Sequence, residues 1–192
     1  MQRISLFAFV CCFFLAACNS KPSYKNPHIL IQTRYGDIEA ELFPDKAPKT
    51  VAAFLSYIDS GYYNNSSFYR VNIEEDLGGY NKGFIQGGLW PNKKDIPGIP
   101  HESTKQTGLT HTSGTLSLAR TTPGSQNTEF FICIGDQTGF DFGKEGVPDG
   151  QGFSAFGKVV KGMDIVRRIQ RVPSSGENFT EKVTIEKIKK LN

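Results

Sequence analysis

From Ser67 onward the chain is a succession of short strand-like stretches, FYRV, KGFIQGG, GTLSLAR, TEFFICI, FSAFGKVV and KVTIEKI, each bounded by Gly, Pro, Asn or Asp. Stretches this short and this rich in β-branched and aromatic residues do not build a helical bundle, nor a parallel sheet whose strands alternate with long helices. Only MDIVRRI interrupts them with a helical period. Upstream, ILIQTRYGDIEAELF alternates on both sides of a Gly-containing turn, with Ile29 and Ile31, then Ile38, Ala40 and Leu42, sharing the apolar positions. It reads as a hairpin. In PDKAPKTVAAFLSYIDSG the period changes: Val51, Phe54, Leu55 and Ile58 fall at i, i+3, i+4 and i+7, Pro48 suits a first turn, and Gly61 suits a C-terminal cap. The expected class is mainly β with one or two helices, closed as a barrel or stacked as a sandwich.

The first residues, MQRISLFAFVCCFFLAACNSK, hold one basic residue, Arg3, then a run from Ile4 to Ala17 broken only by Ser5, then Cys18. That run is too short to span a bilayer as a folded helix and has the layout of an export signal. Leu15, Ala16, Ala17 and Cys18 resemble the lipobox of bacterial lipoproteins, which implies cleavage before Cys18 and lipid on its new N-terminus. The expected organisation is a signal peptide over 1–17, lipidated Cys18 and a polar tether to residue 27, and one domain over 28–192. With Cys11 and Cys12 removed and Cys18 modified, Cys133 stands alone, so no intramolecular disulfide is open to the mature chain. Stability then rests on a core, and a chain of this length buries roughly 68–70% of its unfolded surface. Without Arg3 there are 21 basic against 19 acidic residues, an excess too small to suggest a nucleic-acid partner. The EKIKKLN end and the RRIQR run read as solvated faces.

The common signatures of catalysis are missing. His101, Glu102 and His111 match no usual metal-ligand spacing and His28 lies beside the tether, so no metal and no cofactor are expected. THTSGT around Ser113 has histidine where a nucleophile elbow needs glycine, and no segment has the phosphate-loop form. Cys133, inside FFICI, reads as a buried apolar thiol. What remains is FYRV and FIQGG, with TLSLAR and TEFFICI. Strand alternation puts Arg70 on the face of Phe68, Phe84 with Gln86, and Glu129 with Phe131 and Cys133, while Phe130, Ile132 and Ile134 point the other way. If that last set fills the core, polar groups and aromatics share an outer groove. Taken singly, an arginine in a strand is more often paired or solvated at the surface and a glutamine before glycines is often just a strand end, and composition alone favours that reading.

At these residues the chain resembles the cyclophilin family of peptidyl-prolyl cis/trans isomerases. FYRV matches the family's Phe-His-Arg-Val and FIQGG its Phe-Met-Ile-Gln-Gly-Gly. GTLSLAR matches Gly-x-Leu-Ser-Met-Ala-(Asn or Arg), TEFFICI matches Ser-Gln-Phe-Phe-Ile, and FSAFGKVVKGMDIV matches the closing Phe-Gly-Lys-Val segment, all in family order. The resemblance implies a closed eight-stranded β-barrel with two capping helices. It implies Arg70 as the catalytic arginine, Gln86 as the substrate-backbone partner, Phe131 as a wall of the proline pocket, Ala119 and Arg120 as the neighbouring edge, and Phe84 at the methionine position. Joined to the lipobox, it implies a monomer in the bacterial cell envelope, anchored by lipid, that isomerises proline-containing polypeptides; the alternative is a lipoprotein chaperone or scaffold of the same fold that binds proline-containing segments without turnover.

The departures are specific. NIEEDLGGYNK lies between Arg70 and Gln86 where the family runs almost directly from strand to strand, and is expected to form a loop at the groove's rim. Gly83 replaces the family's phenylalanine there, and Tyr80 is a candidate substitute. Glu129 replaces glutamine and is expected to lie near Arg70, orienting or partly neutralising it. Phe153 stands where many members have histidine. Gly139 and Phe140 occupy the place of the tryptophan that contacts cyclosporin, Phe140 joins the pocket, and Trp90 is not that tryptophan. Weak cyclosporin binding is the expected consequence. Rotation about an Xaa-Pro bond breaks amide resonance without a nucleophile or a proton transfer, which suits fixed donors such as Arg70 and Gln86.

Overall fold

The N-terminal alternation resolves into a hairpin of β1 (His28–Thr33) and β2 (Gly36–Leu42), paired antiparallel from His28 opposite Glu41 to Thr33 opposite Gly36. The structure, a computed structural model, describes residues 24–75, 81–91 and 95–191. The signal segment, Cys18 and Tyr80 lie outside the described residues. Seven further strands follow: β3 (Ser66–Glu75), β4 (Asn81–Gly88), β5 (Thr115–Leu118), β6 (Phe130–Ile134), β7 (Ser154–Lys161), β8 (Ser174–Ser175) and β9 (Asn178–Lys190). They run in the order β1-β2-β7-β5-β6-β4-β3-β9, and β9 pairs back onto β1. Eight antiparallel strands therefore close into a barrel, which decides against the sandwich; β8 is a two-residue addition on β9. Closure removes the unpaired edges that an open sheet leaves exposed.

Side chains fill the barrel. Ile29, Ile31, Ile38, Leu42, Phe68, Ile85, Leu116, Leu118, Phe130, Ile132, Phe156 and Val183 have no exposed surface. Phe130 is the aromatic hub, meeting Phe54, Tyr63 and Phe68 edge-on at 5.5, 5.7 and 5.8 Å between ring centroids. Phe54 comes from α1 (Pro48–Asp59), which buries Val51, Phe54 and Ile58 as its sequence period predicts. Ala47 offers α1 no side-chain cap. Instead Glu102 accepts hydrogen bonds from the Thr50 N–H at 2.8 Å, the Thr50 hydroxyl at 2.7 Å and the Lys49 N–H at 3.2 Å. A carboxylate there satisfies orphan N–H groups and complements the helix dipole. Just beyond Glu102, α2 (Thr104–Thr107) is a single turn.

α1 follows the last residue of β2, whereas α3 (Met163–Gln170) packs Ile165 against Gly36 at its start, so the two longer helices sit at opposite mouths of the barrel. The buried Gln170 of α3 donates to the carbonyls of Asn72 and Lys82 at 3.1 and 2.9 Å, tying down the base of the β3–β4 extension.

Two expectations fail on β3. Phe68 and Arg70 do not share a face: Phe68 is in the core and Arg70 on the outer surface. The register slips between them, with Phe68 opposite Gly87 and Arg70 opposite Gln86, so Tyr69 is the extra residue of a β-bulge. A bulge of this kind re-aims side chains, here turning both Tyr69 and Arg70 outward. Nor is NIEEDLGGYNK a loop throughout. Asn72 to Glu75 and Asn81 to Gly83 continue β3 and β4 as a paired ribbon, with Asn72 opposite Phe84 and Glu74 opposite Lys82. Gly83 makes that pairing possible: its φ is +119°, and a Cβ would overlap the Asn72 carbonyl.

Candidate active site

Three inward residues of β6, Phe130, Ile132 and Ile134, belong to the barrel core, and the alternate residues Phe131 and Cys133 face outward with Phe84 of β4. Ala119, Phe140 and Phe153 pack on this outer patch. Phe131 meets Phe84 at 5.6 Å, Phe140 at 5.8 Å and Phe153 at 5.3 Å, and Phe140 and Phe153 meet each other edge-on at 5.5 Å. The result is an aromatic basin in the floor of a surface groove of about 500 Å³. Behind it the fully buried His111 stacks on Phe131 at 14°. Its Nδ1 donates to the Asp141 carboxylate at 2.6 Å, and its Nε2 is hydrogen-bonded to the Ser117 hydroxyl at 2.9 Å. Burial of Asp141 opposes ionisation, yet the hydrogen bonds from His111 and Thr110 hold its carboxyl below the ordinary value. An ionised Asp141 keeps a proton on His111 Nδ1 and so sets the orientation of the ring. Cys133 is a buried thiol whose pKa is pushed far up by desolvation, so it carries no thiolate chemistry.

One wall is polar and comes from the bulge. Arg70 donates from Nη1 to Gln86 Oε1 at 2.9 Å, Gln86 Nε2 donates to the Tyr69 hydroxyl at 2.7 Å, and that hydroxyl donates to Glu129 at 2.6 Å. Glu129 also accepts from the Leu89 N–H at 2.9 Å and the Thr128 hydroxyl at 3.2 Å. Every bond in this relay points away from Arg70, because a guanidinium only donates and a carboxylate only accepts. Burial, then the Glu129 charge and hydrogen bond, push the Tyr69 phenol well above its usual pKa, so it keeps its proton. Close packing holds the far end of the relay: a Cβ on Gly88 would lie 2.5 Å from Glu129 Oε2.

Glu129 therefore does not touch the guanidinium, and any hold it has on Arg70 runs through Tyr69 and Gln86, which lie between them. The carboxylate bonded to Arg70 is Glu177, whose Oε2 accepts from Nε at 2.9 Å and Nη2 at 2.6 Å. The Arg70 guanidinium also lies over the Phe84 ring, 5.1 Å from its centroid. Of its five N–H groups, one on Nη1 and one on Nη2 are left for a bound ligand.

Ala119 and Arg120 form the opposite edge. Arg120 is not a free donor there: its side chain is 1% exposed, pairs with Asp149 through both Nη atoms at 2.7 and 2.8 Å, and donates to the Gly152 carbonyl at 2.6 Å. Those hydrogen bonds hold Asp149 down to about 2. Thr121, Ser125 and Asn127 add a polar lip, and Asn72 and Glu74 of the ribbon line the end beside Arg70. Trp90 is not among the lining residues; it is 43% exposed and packs on Tyr69 at 5.2 Å.

All nine groove residues expected from the sequence, Arg70, Phe84, Gln86, Ala119, Arg120, Glu129, Phe131, Phe140 and Phe153, line this one groove. Tyr69 and Glu177 were missed. Tyr69 is adjacent to Arg70 in sequence, but alternation aims it the other way; Glu177 is 107 residues from Arg70, with no local signal. The residues weighed as metal ligands are dispersed: Glu102 caps α1, His111 backs Phe131, His101 contacts Ser154 and the Gln151 carbonyl, and His28 pairs with Glu39. Among the described residues no three His, Cys, Asp or Glu side chains converge as a metal site.

Residues 28–190 match the profile of the family described as cyclophilin type peptidyl-prolyl cis-trans isomerase/CLD. The chain is 36% identical over 168 residues to peptidyl-prolyl cis-trans isomerase B of Escherichia coli, covering 83% of this chain and 94% of that one. It is 33% identical over 166 residues to a peptidyl-prolyl cis-trans isomerase of Acinetobacter baylyi, covering 85% and 82%. A crystal structure of a cyclophilin type isomerase from Cryptosporidium parvum has the same fold, with a TM-score of 0.67 at 24% identity, covering 84% of this chain and 95% of that one.

Proposed function

This chain belongs to the cyclophilin-type peptidyl-prolyl cis-trans isomerase family, and from that premise we propose that Arg70 and the aromatic basin carry the isomerisation of Xaa-Pro bonds in exported or envelope proteins. The observation that carries this reading is the seat of Arg70: its guanidinium lies over Phe84, fixed by Gln86, at the rim of the basin. In the basin, the proline ring packs among Phe84, Phe131, Phe140 and Phe153, and Gln86 holds the flanking backbone. As the amide twists, its nitrogen regains a lone pair. A fixed N–H of Arg70 bonds to that nitrogen more strongly than to the planar amide, which is selectivity for the transition state.

The magnitudes divide the work. The uncatalysed barrier is about 18–20 kcal/mol with times of roughly tens to hundreds of seconds, and millisecond turnover requires about 5.5–7 kcal/mol. One charge-assisted hydrogen bond supplies about 1.5–3 kcal/mol. The remainder falls to the grip of the basin on the ring and to the hold on the backbone.

The lipobox supports cleavage after residue 17 and attachment through Cys18, so the domain, as a monomer on the cell envelope, assists the folding of proline-containing clients. Gly139, in place of the tryptophan, and Trp90, outside the groove, support weak cyclosporin inhibition. The test of the catalytic reading is isomerisation of a short Xaa-Pro peptide, followed by NMR exchange, with the purified chain and its Arg70→Ala form. A fall of one to three decades, roughly 1.4–4 kcal/mol, with an unchanged melting curve is expected. Undiminished turnover removes Arg70 from the mechanism. Incorporation of a palmitate analogue in cells, abolished by Cys18→Ser, tests the anchor.

A further inference from the structure

Glu177 stands in the turn between β8 and β9, and it accepts two of the three side-chain hydrogen bonds that Arg70 donates. Its place is set by the barrel rather than by chance of rotamer. The Val71 N–H donates to the Glu177 carbonyl at 2.8 Å, Arg70 lies opposite Asn178 in the β3–β9 ladder, and the Asn72 amide donates to Glu177 Oε1 at 3.2 Å. The guanidinium is thereby held from three sides: Glu177 takes Nε and Nη2, Gln86 takes Nη1, and Phe84 supports its face.

On the reading of Arg70 as the reacting donor, we propose that Glu177 is a positioning residue for isomerisation, fixing the plane of the Arg70 guanidinium so that its two remaining N–H groups face the groove before a substrate arrives. A long side chain that must first find its rotamer loses part of each hydrogen bond to ordering. A clamp formed in the free enzyme removes that cost from the reaction. The side chains of Arg70 and Glu177 are 39% and 49% exposed, and an ion pair so exposed adds little to folding. The effect of Glu177 is therefore felt in orientation. The opposite role, a brake that neutralises Arg70, makes the opposite forecast, since removing a brake raises turnover.

The experiment compares kcat and KM on one Xaa-Pro peptide for the full chain, Glu177→Ala, Glu177→Gln, Arg70→Ala and the Arg70→Ala/Glu177→Ala double variant. Glu177→Ala is expected to lower kcat about three- to tenfold with KM within about twofold. Glu177→Gln, which keeps a side-chain oxygen as acceptor, restores most of the loss, and the double variant is no slower than Arg70→Ala. An unchanged or raised kcat in Glu177→Ala, or a loss carried by KM alone, overturns the proposal. Glu177→Ser, which suits a turn and reaches nothing, gives the same reading should the alanine form melt early. If Arg70→Ala itself keeps full turnover, the reading of Arg70 fails; if Arg70→Ala is slow and Glu177→Ala is not, only the role of Glu177 fails.

Discussion

The phenol of Tyr69 donates to the carboxylate of Glu129 at 2.6 Å, and both residues depart from the family pattern, which has histidine and glutamine at those places. The two departures are partners. A glutamine at 129 can donate or accept, whereas a carboxylate compels the Tyr69 hydroxyl to donate to it and to accept from Gln86. That turns the Gln86 carbonyl towards Arg70.

Tyr69→Phe leaves a buried carboxylate oxygen without one donor and the Gln86 amide nitrogen without an acceptor. All three residues are less than a tenth exposed, so a cost of about 1–3 kcal/mol is expected, with a drop of about 2–4 °C in melting temperature per kcal/mol. Turnover should fall about three- to tenfold as Gln86 loses its orientation. Thermal melts and peptide exchange on the same sample check both; unchanged turnover would show that Gln86 does not depend on Tyr69.

Glu102→Ala removes the cap of α1. The helix has no capping side chain of its own, so about 1–2 kcal/mol of stability should go, with turnover unaltered well below the melting temperature. Differential scanning calorimetry measures this. A stability equal to that of the parent would mean that water caps the helix as well as the carboxylate does.

Acid should weaken the Arg70 clamp late. The hydrogen bonds from Arg70 hold Glu177 below the ordinary carboxylate value, against modest burial. For a depressed carboxyl the ion pair is fully present above the unfolded-state pKa, about 4.3, and is lost as pH falls through the lower folded value. Turnover is expected to be level from about pH 8 to 5, and because a protonated Glu177 keeps one acceptor oxygen, as Glu177→Gln does, the loss below about pH 4 should be small. The decline attributable to the clamp is absent in Glu177→Gln. A midpoint near neutrality would point to another group.

Gly83→Ala should open the ribbon. A Cβ there overlaps the Asn72 carbonyl at a φ of +119°, a strain of order 1–3 kcal/mol. The base of the ribbon, where Gln170 binds the Asn72 and Lys82 carbonyls, should then lose hydrogen-exchange protection. Unaltered protection at Asn72 and Phe84 would contradict the reading of Gly83 as a required close approach.

The short strands, the hairpin of β1 and β2 and the amphipathic face of α1 were legible in the sequence, because period two and period 3.6 are imposed on every residue of an element with one buried face. The same rule correctly parted Phe131 and Cys133 from Phe130, Ile132 and Ile134. Family motifs named the groove residues, and the groove gathers all nine. Tertiary structure alone decided the rest. A single bulge residue reverses alternation at Tyr69 without changing composition, so the relay to Glu129 had no trace in the pattern. The pairing of Arg70 with Glu177 depends on barrel closure through β9, which brings together residues 107 apart, and no local spacing records a contact made by a ladder. Sequence periodicity specifies which face of a strand is apolar; which two polar side chains meet on the other face is set by register, and register is a property of the closed sheet.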